Sequence, residues 1–272
     1  MTFAEATAVS ATGPGRYTAE LTPYWSAFGN PNGGYLAAIT ARAALAETGR
    51  EHPQSVSTTF FKASRPGPAE LEVTVNGTGR TLSNARVLLR QNGVMILEST
   101  VVCTDTPTDD VPADPSALPV DESRCAAPGI RPGTGPSILD SVSVRYPPGF
   151  GPRDVVSPER PDAVVTAWVR LLTGEDPDPF VAIVAADALV PTPFQLGYVG
   201  WSPTVSMTWH LRTRPAPGPL AVTVSAGQVT PADGWFDERA VVRDSAGRTV
   251  AHAWQIARLT KGMPEAAPEG SA

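Results

Sequence analysis

Hydrophobic and polar residues along this chain follow two periods, and the same succession of periods occurs twice. Gly33-Gly-Tyr-Leu-Ala-Ala-Ile-Thr-Ala-Arg-Ala-Ala-Leu45 is apolar on nearly every side, which predicts a helix enclosed by other structure. Strand-like stretches follow it at Ser55–Phe61, Glu70–Val75, Ala85–Arg90 and Val94–Val102. Gln91-Asn92-Gly93 joins the last two as a hairpin, because Asn-Gly tolerates the positive φ of a tight turn. In the second half, every residue between Phe180 and Val190 is apolar except Asp187, which predicts another enclosed helix. Asp178 suits its N-cap, Pro179 its first position, and Pro191 ends the run. Strands are then expected at Thr204–Leu211, Pro219–Ala226, Glu238–Arg243 and Thr249–Ala257, with Asp244 to Gly247 turning the last pair. Fainter strand patterns precede each helix, at Arg16–Leu21 in the first half and at Ser141–Tyr146 and Val164–Leu172 in the second.

The two halves superpose. Val56-Ser-Thr-Thr-Phe-Phe, followed by Arg65-Pro66, aligns with Val205-Ser-Met-Thr-Trp-His, followed by Arg214-Pro215. One enclosed helix and the strands after it, repeated in tandem, imply an α+β chain in which a curved antiparallel sheet wraps each of two long helices. The expected organisation is a first unit over 1–104, a connector over 105–137, a second unit over 138–262 and a frayed tail over 263–272. The connector rests on composition: proline density from Thr104 to Pro136 forbids a helix or strand of any length.

Composition narrows the function classes. At 272 residues, 42% hydrophobic and 18% charged, the chain describes a soluble globular protein with ample core. A net charge of −6 without a clustered basic stripe argues against nucleic acid as a partner. No apolar run approaches the roughly 20 residues that span a bilayer, and the N-terminus has neither the basic start nor the apolar core of an export signal. A cytoplasmic location is therefore expected, with Cys103 and Cys125 as ordinary thiols. Their spacing suits neither a metal site nor a redox pair, and no phosphate loop or dinucleotide fingerprint appears, so neither metal nor cofactor is expected.

Asp187 is the candidate that the pattern itself isolates. Placed more than two turns inside an apolar helix, its carboxylate is costly unless neighbours or water satisfy it, and costly acids mark candidate sites. The alternative is a wet edge or a pairing with a nearby arginine. Aligned on the first helix, Asp187 falls opposite Arg42, while strand alignment sets Thr204 opposite Ser55 and Gln255 opposite Val101. The polar trio therefore belongs to the second half, which predicts one site per chain. Gln255 lies on a strand face of small residues, Ala251, Ala253 and Ala257, and Thr204 is expected to share a face with Ser206, Thr208 and His210. Gly33 and Gly34 open the first helix with unpaired amides that suit an oxygen gaining negative charge. Asn30 and Asn32 are candidate caps there.

Five segments, in order, carry a resemblance: Asn30-Pro-Asn-Gly-Gly-Tyr35, Phe61 to Arg65-Pro-Gly67, Ala185-Ala-Asp187, Pro203-Thr-Val-Ser-Met-Thr-Trp-His210, and Val250-Ala251 with Gln255. Together they resemble the TesB-type acyl-CoA thioesterases, whose fold is a tandem double hotdog. The resemblance implies hydrolysis of a fatty or related acyl-CoA to free acid and coenzyme A, in a homodimer. It implies a catalytic Asp187, Thr204 and Gln255 that orient the attacking water, with Ser202 or Ser206 in the hydroxyl role if the strand alignment slips. It further implies substrate binding by Asn32, Gly33, Gly34 and Tyr35. Two departures bear on substrate: Ser206 stands where the family has an Asp, and the later Ser-rich strand reads Ala226-Gly-Gln-Val-Thr230. Competing readings are a hydrolase or dehydratase acting on acyl or polyketide chains bound to a carrier protein, and a non-catalytic acyl-CoA binder.

Overall fold

Asn32 starts the long helix of the first half. Its backbone is extended, its Oδ1 accepts the Tyr35 amide at 3.0 Å, and the helix runs from Gly33 to Thr48 before Gly49 closes it at φ 67°. The computed structural model describes residues 1–105, 110–128, 137–151, 163–196, 201–230 and 233–259. In the first half these form the one-turn helix α1 (Phe3–Ala6), strands β1 (Ser10–Gly13) and β2 (Arg16–Leu21), and the small hairpin of β3 (Ser26–Ala27) and β4 (Asn30–Pro31). The long helix α2 (Gly33–Thr48) and strands β5 (His52–Phe60), β6 (Gly67–Thr78), β7 (Leu82–Gln91) and β8 (Val94–Thr104) complete it. The second half contributes β9 (Val142–Arg145), β10 (Val164–Leu171), α3 (Pro179–Ala185), β11 (Thr204–Leu211), β12 (Leu220–Thr230), β13 (Trp235–Arg243) and β14 (Thr249–Arg258).

Twelve of the strands join in one antiparallel sheet, ordered β1-β2-β6-β7-β8-β5-β11-β14-β13-β12-β10-β9. Each half supplies six, and they meet at β5 and β11. That central ladder pairs Ser206 with Thr59 and Thr208 with Ser57. The repeat sets Ser57 on Ser206 and Thr59 on Thr208, so exchanging the halves reproduces the same pairs, as an internal twofold requires. Helix α2 packs on β5 to β8 and α3 on β11, β12 and β14, and one buried apolar cluster runs through the two halves. Asn92 and Gly93, at φ 50° and 75°, make the expected two-residue hairpin between β7 and β8.

Three sequence expectations change. The second helix is short: it ends at Ala185, and the Asp187 and Ala188 amides bond back three residues to Val184 and Ala185. Asp187 therefore stands just beyond the helix, not two turns within it. Its carbonyl, which Pro191 four residues on has no N–H to bond, accepts Asn32 Nδ2 at 3.0 Å. Ladder pairing also sets Ser99, not Val101, at the place of Gln255, because Ser99 faces Thr58 as Gln255 faces Met207. Finally, strand β11 carries a bulge at Val205, with Thr204 opposite Ala257 and Ser206 opposite Ile256. The extra residue turns Thr204 onto the face of Met207 and Gln255, away from that of Ser206.

The described part of the 105–137 stretch forms single 3-10 turns, at Pro115–Ala117 and Glu122–Arg124, and isolated antiparallel bridges from Ala113 to Arg248 and from Ala126 to Tyr146. It lies against the second half, where Trp168 Nε1 donates to the Val120 carbonyl at 2.9 Å. Residues 106–109, 129–136 and the tail over 263–272 lie outside the described residues.

Candidate active site

Where the two helices meet, Gly34 lets their backbones approach closely. A Cβ on Gly34 would stand 3.0 Å from the Ile183 carbonyl oxygen and from Val184 Cα. Gly34 thus accommodates the close approach of α3, where the sequence suggested the approach of a ligand. Its amide donates to Asp187 Oδ2 at 2.8 Å, and Asn32 Nδ2 donates to the same oxygen at 2.9 Å. Asn32 thereby caps α2 and holds both ends of Asp187, through carboxylate and carbonyl. The twin cap, Asp178, reaches across in the same way and meets Arg42 at 3.4 Å, while the Arg42 guanidinium lies 3.9 Å from the centre of the Phe180 ring.

Asp187 opens on a cavity of about 530 Å³ between the halves. Its walls are mostly apolar, with Leu36, Phe60, Ile138, Leu189, Phe194 and Trp201 among them. Phe28, at the tip of the β3–β4 hairpin, meets Trp201 edge-on at 6.1 Å between ring centroids. Burial in this setting pushes the Asp187 carboxyl up to about 7, with the Glu238 charge adding to the rise and the Gly34 and Asn32 bonds opposing it. Oδ2 takes both of those bonds. Among the described residues Oδ1 has no protein partner.

Thr204 and Gln255 share the cavity wall with Asp187. The Thr204 hydroxyl donates to Gln255 Oε1 at 2.7 Å, and Gln255 Nε2 donates to Glu238 Oε2 at 2.5 Å. Glu238 Oε1 accepts the Thr192 hydroxyl at 2.6 Å and the Thr192 amide. Glu238 is 2% exposed and stands behind the wall, and burial pushes its carboxyl upward against these donors. The sequence reading missed it. A signal was present: Glu238 falls in phase with the inward Phe236, Ala240 and Val242.

Of the other expected residues, Gly33 and Asn32 line the cavity, and among the described residues no acceptor pairs with the Gly33 amide. Gly34 and Tyr35 do not line it. Tyr35 is fully buried on the far side of α2, where its ring stacks on Trp25 and its hydroxyl donates to the Ala6 carbonyl at 2.7 Å. One helical step from Gly34 turns a side chain by roughly 100°, which carries Tyr35 into the core. Of the alternatives to Thr204, Ser202 lines the cavity, its hydroxyl without a partner among the described residues, and Ser206 faces the other side of the sheet. Lys62 is the one cation among the described lining residues. Among the described residues no cluster of His, Cys, Asp and Glu is arranged to hold a metal ion, and no helix is long and apolar enough to cross a membrane.

Comparison with known proteins gives two tandem family matches. Residues 21–104 match an acyl-CoA thioesterase N-terminal domain, and residues 110–259 match an acyl-CoA thioesterase C-terminal domain. An uncharacterized Mycobacterium tuberculosis protein is 30% identical over 268 residues, spanning 89% of this chain and 90% of its own. Among solved structures, a candidate thioesterase II from Thermobifida fusca YX is 34% identical with a TM-score of 0.83, covering 95% of this chain and 97% of its own. A hot dog fold protein of unknown function from Alicyclobacillus acidocaldarius shares the architecture at 20% identity and a TM-score of 0.78, covering 96% and 98%.

Proposed function

Because the chain belongs to the acyl-CoA thioesterase family, with the N-terminal and C-terminal domains of that family in tandem, we propose that it hydrolyses an acyl-CoA thioester to the free acid and coenzyme A. One observation carries the reading: a carboxyl whose pKa is raised to about 7 on the wall of an apolar cavity that a bonded hydroxyl–amide pair also lines. Asp187 Oδ1 takes a proton from water as the water oxygen bonds to the thioester carbonyl carbon. Thr204 and Gln255 hold that water by accepting its second hydrogen. The Gly33 amide, at the positive end of α2, donates to the carbonyl oxygen as it gains charge. When the carbonyl re-forms, the carbon–sulfur bond breaks and the thiolate leaves with both bonding electrons. A thiolate is a stable leaving group, so no general acid is needed beside it.

This assignment drops Gly34 as an oxyanion donor, since its amide is held by Asp187. The apolar walls suit a fatty or related acyl chain. One observation favours a second reading. Lys62 alone among the described lining residues is cationic, which offers little to the several phosphates of coenzyme A and leaves an acyl group on a carrier protein as the alternative substrate. A thiol-release assay across acyl-CoA lengths and on acyl carrier protein separates the two. Asp187→Asn is expected to keep its fold and lose about a hundredfold or more in kcat. Native turnover in that variant removes Asp187 from the chemistry.

A further inference from the structure

The amide of Gln255 has two faces of nearly the same shape, and rotation about its last torsion exchanges oxygen for nitrogen. Chemistry separates the two orientations. With Oε1 towards the cavity, Gln255 accepts a hydrogen from the attacking water. With Nε2 there instead, it would donate to the oxygen lone pair that must attack carbon. Thr204 cannot choose between them, because a hydroxyl both donates and accepts.

We propose that Glu238 is a positioning residue for hydrolysis, an acceptor behind the cavity wall that fixes the Gln255 amide with its oxygen towards Thr204 and the water. The proposal rests on the hydrolytic reading above. Glu238 Oε2 takes Gln255 Nε2 at 2.5 Å, and Gln255 Oε1 takes the Thr204 hydroxyl at 2.7 Å. Glu238 is fixed in turn by the Thr192 hydroxyl at 2.6 Å and by the Thr192 amide. Three donors converge on two oxygens, an arrangement that calls for a carboxylate and leaves its carboxyl no proton to place.

A purely structural role fits the surroundings poorly. Glu238 is 2% exposed, and among the described residues it has no cationic partner, so its charge costs stability that an apolar residue would spare. The repeat shows that the fold accepts such a residue. Val87 pairs with Ser99 across β7 and β8 as Glu238 pairs with Gln255 across β13 and β14. In the first half there is no amide to orient at that place, and there is no acid. Glu238 does not line the cavity, so it acts through Gln255 and not on the substrate.

Glu238→Gln keeps the shape while offering an N–H to Gln255, which turns the Gln255 amide over. Thiol release from saturated acyl-CoAs should then show kcat lowered by about tenfold or more, with KM changed by less than about twofold. In a Gln255→Ala background the same substitution should change kcat by less than about twofold, because nothing remains to orient. Undiminished kcat in Glu238→Gln, or an equal fall in both backgrounds, overturns the proposal. Side-chain amide exchange read by NMR needs no substrate. The Gln255 Nε2 hydrogens, identified by their loss in Gln255→Ala, should exchange slowly in the native protein and about tenfold faster or more in Glu238→Gln. If native protein releases thiol from no acyl-CoA or acyl carrier protein, the hydrolytic reading fails, and equal exchange in the two proteins then refutes the orientation itself.

Discussion

Asp187 sits between opposing influences: burial disfavours its charge, and two donors on Oδ2 favour it. Burial is the larger, so the carboxyl titrates near 7 instead of at its ordinary 3.8. A base must be unprotonated to work, so kcat/KM for hydrolysis should rise with pH and level off above a midpoint near 7 in a pH–rate profile. Stability runs the other way. Below 3.8 both folded and unfolded chains hold the proton, and the acid carries no penalty. Between there and 7 the unfolded chain releases it first, so folding loses stability as pH rises, fully so above 7. Asp187→Asn should therefore raise stability at pH 8 by roughly 1–3 kcal/mol, discounted for water in the cavity, with the gain fading towards pH 4 in denaturant titrations. Asp187 was legible in the sequence because it is the one charge in a long apolar run. Glu238 was not, because Glu238-Arg239 imitates the charged pairs of a solvent-facing strand and only phase separates the two.

At the level of elements, two local devices bring the residues together, and neither is visible in periodicity. The bulge at Val205 adds a residue that alternation cannot count, so the sequence set Thr204 on the face of Ser206 while the sheet sets it beside Gln255. The two hydroxyls should separate in assay: Thr204→Val loses about tenfold or more in kcat, and Ser206→Ala stays within about twofold of native. Equal behaviour would mean that the bulge does not select Thr204. The helix crossing is the second device. Gly34→Ala would press a methyl against the Ile183 carbonyl and Val184 Cα, each at 3.0 Å. Both are backbone and yield little, so the variant should lose about 1–3 kcal/mol in chemical denaturation. The early end of α3 escaped the sequence because its apolar run continues to Val190, and composition does not show where bonds four residues back give way to bonds three residues back, at Asp187 and Ala188.

Over the whole molecule the repeat was the most legible feature, because it writes the same alternation twice and the central ladder obeys it. Its divergence was legible only in part. Helix alignment paired Arg42 with Asp187, and each does meet the cap of the opposite helix, one an asparagine and the other an aspartate. That asymmetry is open to a fused chain and closed to an assembly of identical halves, where every change appears at both positions. The junction of β5 and β11 has one more consequence. Since Asn32 and Asp187 belong to the same polypeptide, joined through a continuous sheet, their encounter is a property of the molecule and not of its concentration. Specific activity per chain should stay constant on dilution from micromolar to picomolar protein, where a cleft shared between separate chains would come apart and fall silent.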